Sequence, residues 1–108
     1  MVGGVAAWGA NQSGQLGDNT MVSHNAPVGV NTNSGLSALY DKTVVAVAGG
    51  LLHSLALCSD GTVAAWGDNE FGQLGDNTAL RHLMPVAVST NSGVSALYGK
   101  RVVAVAAG

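Results

Sequence analysis

His53 and Ser54 stand side by side in the stretch "GGLLHSLALCSD". Such a pair invites a nucleophilic reading, in which an imidazole removes the serine proton. That chemistry needs the base within hydrogen-bond reach and a third group to orient it. The surrounding alternation is that of a strand, and neighbours on a strand point to opposite faces. The pair therefore reads as structural. Asp18 and Asp76 are the other suggestive groups, each opening an identical "DNT". Paired carboxylates can share acid and base work, but an Asp before Asn and Thr is also a turn former through its own backbone. His24, His82 and His53 complete the histidines, and no two fall at the short spacings of a zinc site. Cys58 is the single cysteine, so it offers neither a disulfide nor a second thiolate, and it reads as a small buried apolar residue. No glycine motif of the phosphate-cradling types is present. The sequence thus assigns no catalytic, cofactor-binding or metal-binding residue.

Composition narrows the classes further. The chain has 108 residues, 16 glycines, two tryptophans and a net charge of -2. Four Lys plus Arg, none clustered, make a poor footprint for nucleic acid. No apolar run reaches the length of a membrane-spanning helix, and the start "MVGGVAAWGA" lacks a basic leader region. "NQS" at 11–13 fits a glycosylation sequon formally and reads as coincidence. Val-rich runs between the glycines indicate burial rather than disorder. One small, turn-rich β unit is expected.

The elements that must position these residues emerge from a repeat. "WGANQSGQLGDNT" at 8–20 returns as "WGDNEFGQLGDNT" at 66–78, an offset of 58. At that offset Pro27 meets Pro85, "TNSG" and "SALY" recur, and "VVAVA" at 44–48 meets 102–106. Roughly two thirds of the paired positions are identical without a gap, which marks a repeat architecture. Each unit holds four strand candidates. "TVVAVAGG" (43–50) is a small-apolar run suited to a strand buried on both faces. "HSLALCS" (53–59) alternates, with Ser54, Ala56 and Cys58 on one face and His53, Leu55 and Leu57 on the other. "SDGT" supplies an Asp-Gly hairpin turn before "VAAWG" (63–67). "PVAV" (85–88) is a short strand headed by proline. "SALY" reads as a turn between units. Leu16 and Leu74 are expected to plug the space between neighbouring units. Four meandering strands per unit make a propeller blade.

The run "GGLLHSLALCSDGTVAAWGDNEFGQLGDNT" resembles the repeat of the regulator of chromosome condensation family: a Gly pair, a His-Ser strand, "DG", a "WG.N..GQLG" loop, then "PV.V". The resemblance covers essentially the whole chain, and the "TNSG.SALY.K.VVAVAAG" segment looks like versions found in bacterial arrays. It implies an all-β fold of four-stranded antiparallel blades. Seven strand candidates give about two blades, incomplete as a closed propeller. Residues 1–42 form a partial first blade and connection, 43–88 a complete blade, and 89–108 a connection with the first strand of the next. Light sensing, known in the family, is not carried over, because Leu51-Leu52 stand where its tryptophan would precede the His.

These features define a non-catalytic scaffold or protein-interaction module. Its partner is another protein or further copies of itself, as a homo-oligomer or a complementing propeller piece. The resemblance also implies, for an intact propeller, nucleotide exchange on a small GTPase or inhibition of an enzyme. The positions that differ between otherwise matched loops are the binding candidates: Gln12 and Ser13 against Glu70 and Phe71, with Met21-Val22-Ser23 against Ala79-Leu80-Arg81 beside them. Phe71 is the single phenylalanine and a natural anchor.

Overall fold

The structure, a computed structural model, describes residues 4–33 and 37–89. Six strands run in chain order: β1 (Ala6–Gly9), β2 (His24–Gly29), β3 (Val44–Gly49), β4 (His53–Cys58), β5 (Val63–Gly67) and β6 (His82–Ala87). β1 and β2 pair as a two-stranded antiparallel sheet, and β3-β4-β5-β6 form a four-stranded antiparallel meander. The seventh strand candidate, 102–106, lies outside the described residues.

The repeat governs the pairing register as well as the letters. Ala6↔Gly29, Ala7↔Val28 and Gly9↔His24 in the first sheet become Ala64↔Ala87, Ala65↔Val86 and Gly67↔His82 in the second. Both pairs shift register at the tryptophan, between Ala7 and Gly9 and between Ala65 and Gly67. A bulge at that place re-aims the chain as it leaves for the glycine-rich loop. It also explains the prolines. β6 begins three residues before Pro85, not at it, and the ring sits where the register slips on an outer strand. Its carbonyl accepts a hydrogen bond from Ala38 N–H at 3.0 Å.

The β4–β5 hairpin turns as the Asp-Gly pair demands. Gly61 takes a φ of 84°, and Asp60 Oδ1 accepts from the Thr62 backbone N–H at 3.0 Å. The Lys42 ammonium lies against Asp60 and, with Thr62, holds its carboxyl well below the usual carboxylate range. "SALY" at 37–40 is a turn, closed by Tyr40 N–H to the Ser37 carbonyl at 3.1 Å; the copy at 95–98 lies outside the described residues.

β3 departs from expectation. It lies at the sheet edge and alternates, with Val45 and Val47 exposed, rather than being buried on both faces. A small-apolar run cannot by itself distinguish a central strand from an outer one.

The core joins the two sheets. Ala56, Cys58, Ala64 and Trp66 of β4 and β5 pack with Val30 and Leu39, flanked by Val5, Ala7, Ala38 and Val44. Ala56 and Cys58 come from the face of β4 assigned by alternation, while Leu57 of the opposite face is buried as well. Alanines in the middle strands let the first sheet approach closely, which dense packing requires. Burial pushes the Cys58 thiol pKa up, in keeping with a core residue.

Candidate interaction loops

Each glycine-rich loop is built around one buried asparagine. Asn11 and Asn69 are both fully buried. Asn11 Oδ1 accepts from Leu16 N–H at 2.9 Å, and its Nδ2 donates to the Thr20 and Val22 carbonyls and to Asp18 Oδ1. Asn69 repeats the arrangement with Leu74, Thr78, Leu80 and Asp76. A loop crowded with glycine has no core of its own. A side-chain amide that mimics backbone hydrogen bonds on both sides holds it in one shape.

Asp18 and Asp76 belong to the same scaffold. Asp18 Oδ1 accepts from Thr20 N–H at 3.0 Å and Thr20 Oγ1 at 2.7 Å; Asp76 does the same with Thr78 at 3.1 and 2.7 Å. Burial raises the pKa of each, but the Thr and Asn hydrogen bonds and the neighbouring histidine outweigh it, so both carboxyls lie below their ordinary value. His24 Nε2 lies 3.4 Å from Asp18 Oδ2, and His82 Nε2 lies 3.0 Å from Asp76 Oδ2. Asn19 and Asn77, each with φ of 65°, occupy the left-handed region that Asn tolerates.

The loops differ in what lies outside them. Loop 11–20 is seated on the second sheet. Its Gln15 carbonyl accepts from Trp66 Nε1 at 2.8 Å and from Ser54 Oγ at 2.9 Å. Ser54 is thus a strut between sheets. Asn19 N–H donates to the Leu83 carbonyl at 2.8 Å, and Arg81 Nη1 donates to the Gln12 carbonyl at 3.3 Å. Gly14 and Gly17 allow the approach: a Cβ on Gly14 would stand 2.5 Å from Leu83 Cδ2, and one on Gly17 would stand 2.7 Å from Trp66 Nε1. Leu16 and Leu74 are both buried, yet the backbone of Gln15 and the glycines carries these contacts onto the next sheet.

The sequence-chosen positions divide accordingly. Gln12 and Ser13 sit at the seam between sheets, Gln12 exposed and Ser13 half-buried. Glu70 and Phe71 are exposed on the second loop, with Phe71 86% accessible. The Phe71 backbone is pinned by its N–H to Gln73 Oε1 at 2.8 Å. The asparagine hubs were missed as organisers, although their identity in both copies was visible. Among the described residues no three His, Cys, Asp or Glu gather to hold a metal ion. No helix there is long and apolar enough to cross a membrane.

The family model for the regulator of chromosome condensation (RCC1) repeat matches residues 3–57 and 60–108. The chain belongs to that family. A second model of the same repeat matches residues 44–73. RCC1-repeat relatives include the human E3 ubiquitin-protein ligase HERC2, 37% identical over 106 residues, covering 98% of this chain and 2% of the ligase. The Ultraviolet-B receptor UVR8 of Arabidopsis thaliana is 35% identical over 86 residues, covering 80% of this chain and 18% of the receptor. The crystal structure of Prp20p from Saccharomyces cerevisiae, described with its binding to Gsp1p and histones, superposes with a TM-score of 0.71. It is 25% identical, covering 94% of this chain and 24% of that one. The RCC1-repeat chain spans about a quarter or less of each of these proteins. Its sheets are those of an RCC1-type β-propeller. These relatives are eukaryotic and lend no support to the expected bacterial origin.

Proposed function

We propose that this RCC1-repeat chain is a non-catalytic protein-interaction module whose contact surface centres on the loop carrying Glu70 and Phe71. One observation carries the reading: an exposed aromatic ring on a backbone already held rigid. Phe71 is 86% accessible, while Asn69 and Gln73 fix the loop beneath it. A rigid, exposed aromatic loses little freedom on binding, and such residues dominate interface energetics. Gln12 and Ser13, at the matched place in the first loop, extend the surface in this reading. The Thr20 and Thr78 hydroxyls beside Asp18 and Asp76 are engaged in closing the turns, which favours a scaffold role for these groups. Prp20p, described as binding Gsp1p and histones, supplies the first partners to try.

The test is a titration of purified Gsp1p and of purified histones against the immobilised chain and its Phe71→Ala variant. Wild-type binding that weakens about tenfold in the variant, with circular dichroism unchanged, is the expected result. Equal binding by both forms, or binding of neither protein, counts against the reading.

A further inference from the structure

Asp60-Gly61 is the single Asp-Gly step in the chain, and no asparagine precedes a glycine. At such a step a backbone can rewrite itself, because a residue without Cβ leaves its amide nitrogen open to the preceding carboxyl. The Gly61 nitrogen attacks Asp60 Cγ and closes a five-membered imide. The N–C bond forms as the hydroxyl of the carboxylic acid departs with the amide proton as water. Water then opens the ring at either carbonyl. Opening at Cγ restores aspartate. Opening at the backbone carbonyl leaves the chain running through the side chain, as an isoaspartyl link. Nothing is oxidised or reduced, and the water lost is regained. An ionised carboxylate has no hydroxyl to release, so the neutral acid is the reactive form.

Asp60 is exposed at the tip of the β4–β5 turn, yet each partner in this reaction is held. Oδ1 accepts from Thr62 N–H at 3.0 Å and from Thr62 Oγ1 at 2.6 Å, while Oδ2 meets the Lys42 ammonium. The same contacts keep the carboxyl ionised, Lys42 contributing most. The attacking nitrogen is occupied too: Gly61 is buried, and its N–H donates to the Cys58 carbonyl at 2.9 Å. Cys58 N–H to the Thr62 carbonyl at 2.9 Å and Ser59 N–H to the Thr43 carbonyl at 2.8 Å brace the turn on both sides. Thr62 is a local partner. Lys42 comes from 18 residues back, out of a tight turn where Asp41 takes a φ of 57° and Lys42 N–H donates to the Leu39 carbonyl at 3.1 Å.

We propose that Asp60-Gly61 is a latent isoaspartyl modification site and that Lys42 is the positioning residue that keeps it closed. The inference is independent of any partner protein, since all these contacts lie within the four-stranded sheet and the turn leading into it. Its consequence reaches the core. The isoaspartyl link adds one backbone atom between β4 and β5, whose pairing of Leu57 with Val63 and of Ala56 with Ala64 is set by that turn.

The full chain and its Lys42→Met and Lys42→Arg variants are aged at neutral pH, folded and in guanidinium. Isoaspartate at residue 60 is counted by peptide mapping with electron-transfer fragmentation. Asp18, Asp68 and Asp76, each before an asparagine, serve as internal references. The folded wild-type chain should react at Asp60 at least about tenfold more slowly than the unfolded one, because the neutral acid becomes tenfold scarcer with each unit by which a pKa falls. Lys42→Met should raise the folded rate about threefold with unchanged circular dichroism, the scale of an exposed ion pair. Lys42→Arg keeps the charge and should keep the site closed. High sodium chloride, which screens the pair without altering the chain, should speed the folded wild type as well, so the outcome does not hang on one variant. Equal rates in the folded and unfolded chains overturn the proposal. So does a folded rate indifferent to both Lys42→Met and salt, a Lys42→Arg chain as fast as Lys42→Met, or isoaspartate that gathers first at the reference aspartates.

Discussion

Loops 11–20 and 69–78 are nearly the same object in two settings. Both hang from a buried asparagine, both run through an Asp-Asn-Thr turn, and both place glycines at positive φ. One is pressed onto Trp66 and Leu83, whereas the other leaves Phe71 exposed and, among the described residues, has nothing against Gly72. The internal scaffold therefore does not depend on docking. Docking depends on the scaffold, because only a pre-shaped loop can offer the Gln15 carbonyl to an indole without further ordering cost.

The tryptophans should break or uphold this contrast most sharply. Trp66→Ala empties a packed core site and removes the donor to Gln15, at a cost of about 3–5 kcal/mol. Trp8→Ala, measured in dilute solution, should cost no more than about 0.5 kcal/mol, as for exposed positions generally. Trp66→Phe keeps most of the volume and isolates the lost hydrogen bond, about 1 kcal/mol. Chemical denaturation of the three variants reads all of these. Equal losses at Trp8 and Trp66 would mean that the two settings are energetically alike.

Next come the asparagines, where the contrast should vanish. Asn11→Ala and Asn69→Ala each strand several buried backbone groups, and each should lose about 2–3 kcal/mol. Matching losses sharpen the comparison by placing the loop's shape in its own bonds. A much smaller loss at Asn69 would show that docking props up the network.

Most of this was legible in the sequence, and the reasons are local. The Asp60-Gly61 turn and the repeat offset follow from short-range rules, and the structure keeps both, whereas β4 buries Ala56, Leu57 and Cys58 alike instead of alternating. The misplaced features depend on neighbours. The start of β6 at His82 is set by pairing with Gly67 across a bulge, which no property of Pro85 reveals. The exposure of Val45 and Val47 follows from β3 being outermost, and a run of small apolar residues carries no such label. Phe71 could be chosen because it differs from Ser13. Asn11 and Asn69, which do more to build the site, were hidden by being the same in both repeats.

Glycine pairs give a finer cut. Gly14 and Gly72 have φ of 78° and 76°, so an alanine at either suffers the same backbone strain, of the order of 1 kcal/mol. Only at position 14 does the added methyl also meet Leu83 Cα at 3.0 Å and the His82 carbonyl at 3.1 Å. Gly14→Ala should therefore be worse than Gly72→Ala by about 1 kcal/mol or more, a difference that isolates the docking contact. Equal thermal midpoints for the two variants would deny that loop 11–20 is tightly seated.

The smallest effect is the response to acid, and it returns to what the loops share. Asp18 and Asp76 both have folded-state pKa values lowered from 3.8, their hydrogen bonds and neighbouring histidines prevailing over burial. A depressed pKa means that the ionised form is favoured by folding. The stabilisation is complete above the unfolded value and drains away as pH falls through the folded one. Stability should decline as pH drops below about 4. The decline should be shallower in Asp18→Asn and in Asp76→Asn, by similar amounts, because each amide removes one titrating group from an equivalent turn. Asp60 adds its own share through Lys42 and Thr62, so a residual slope should survive in the double variant. A slope lost in Asp18→Asn alone would tie the acid response to docking, since among the described residues only that loop is seated on another sheet.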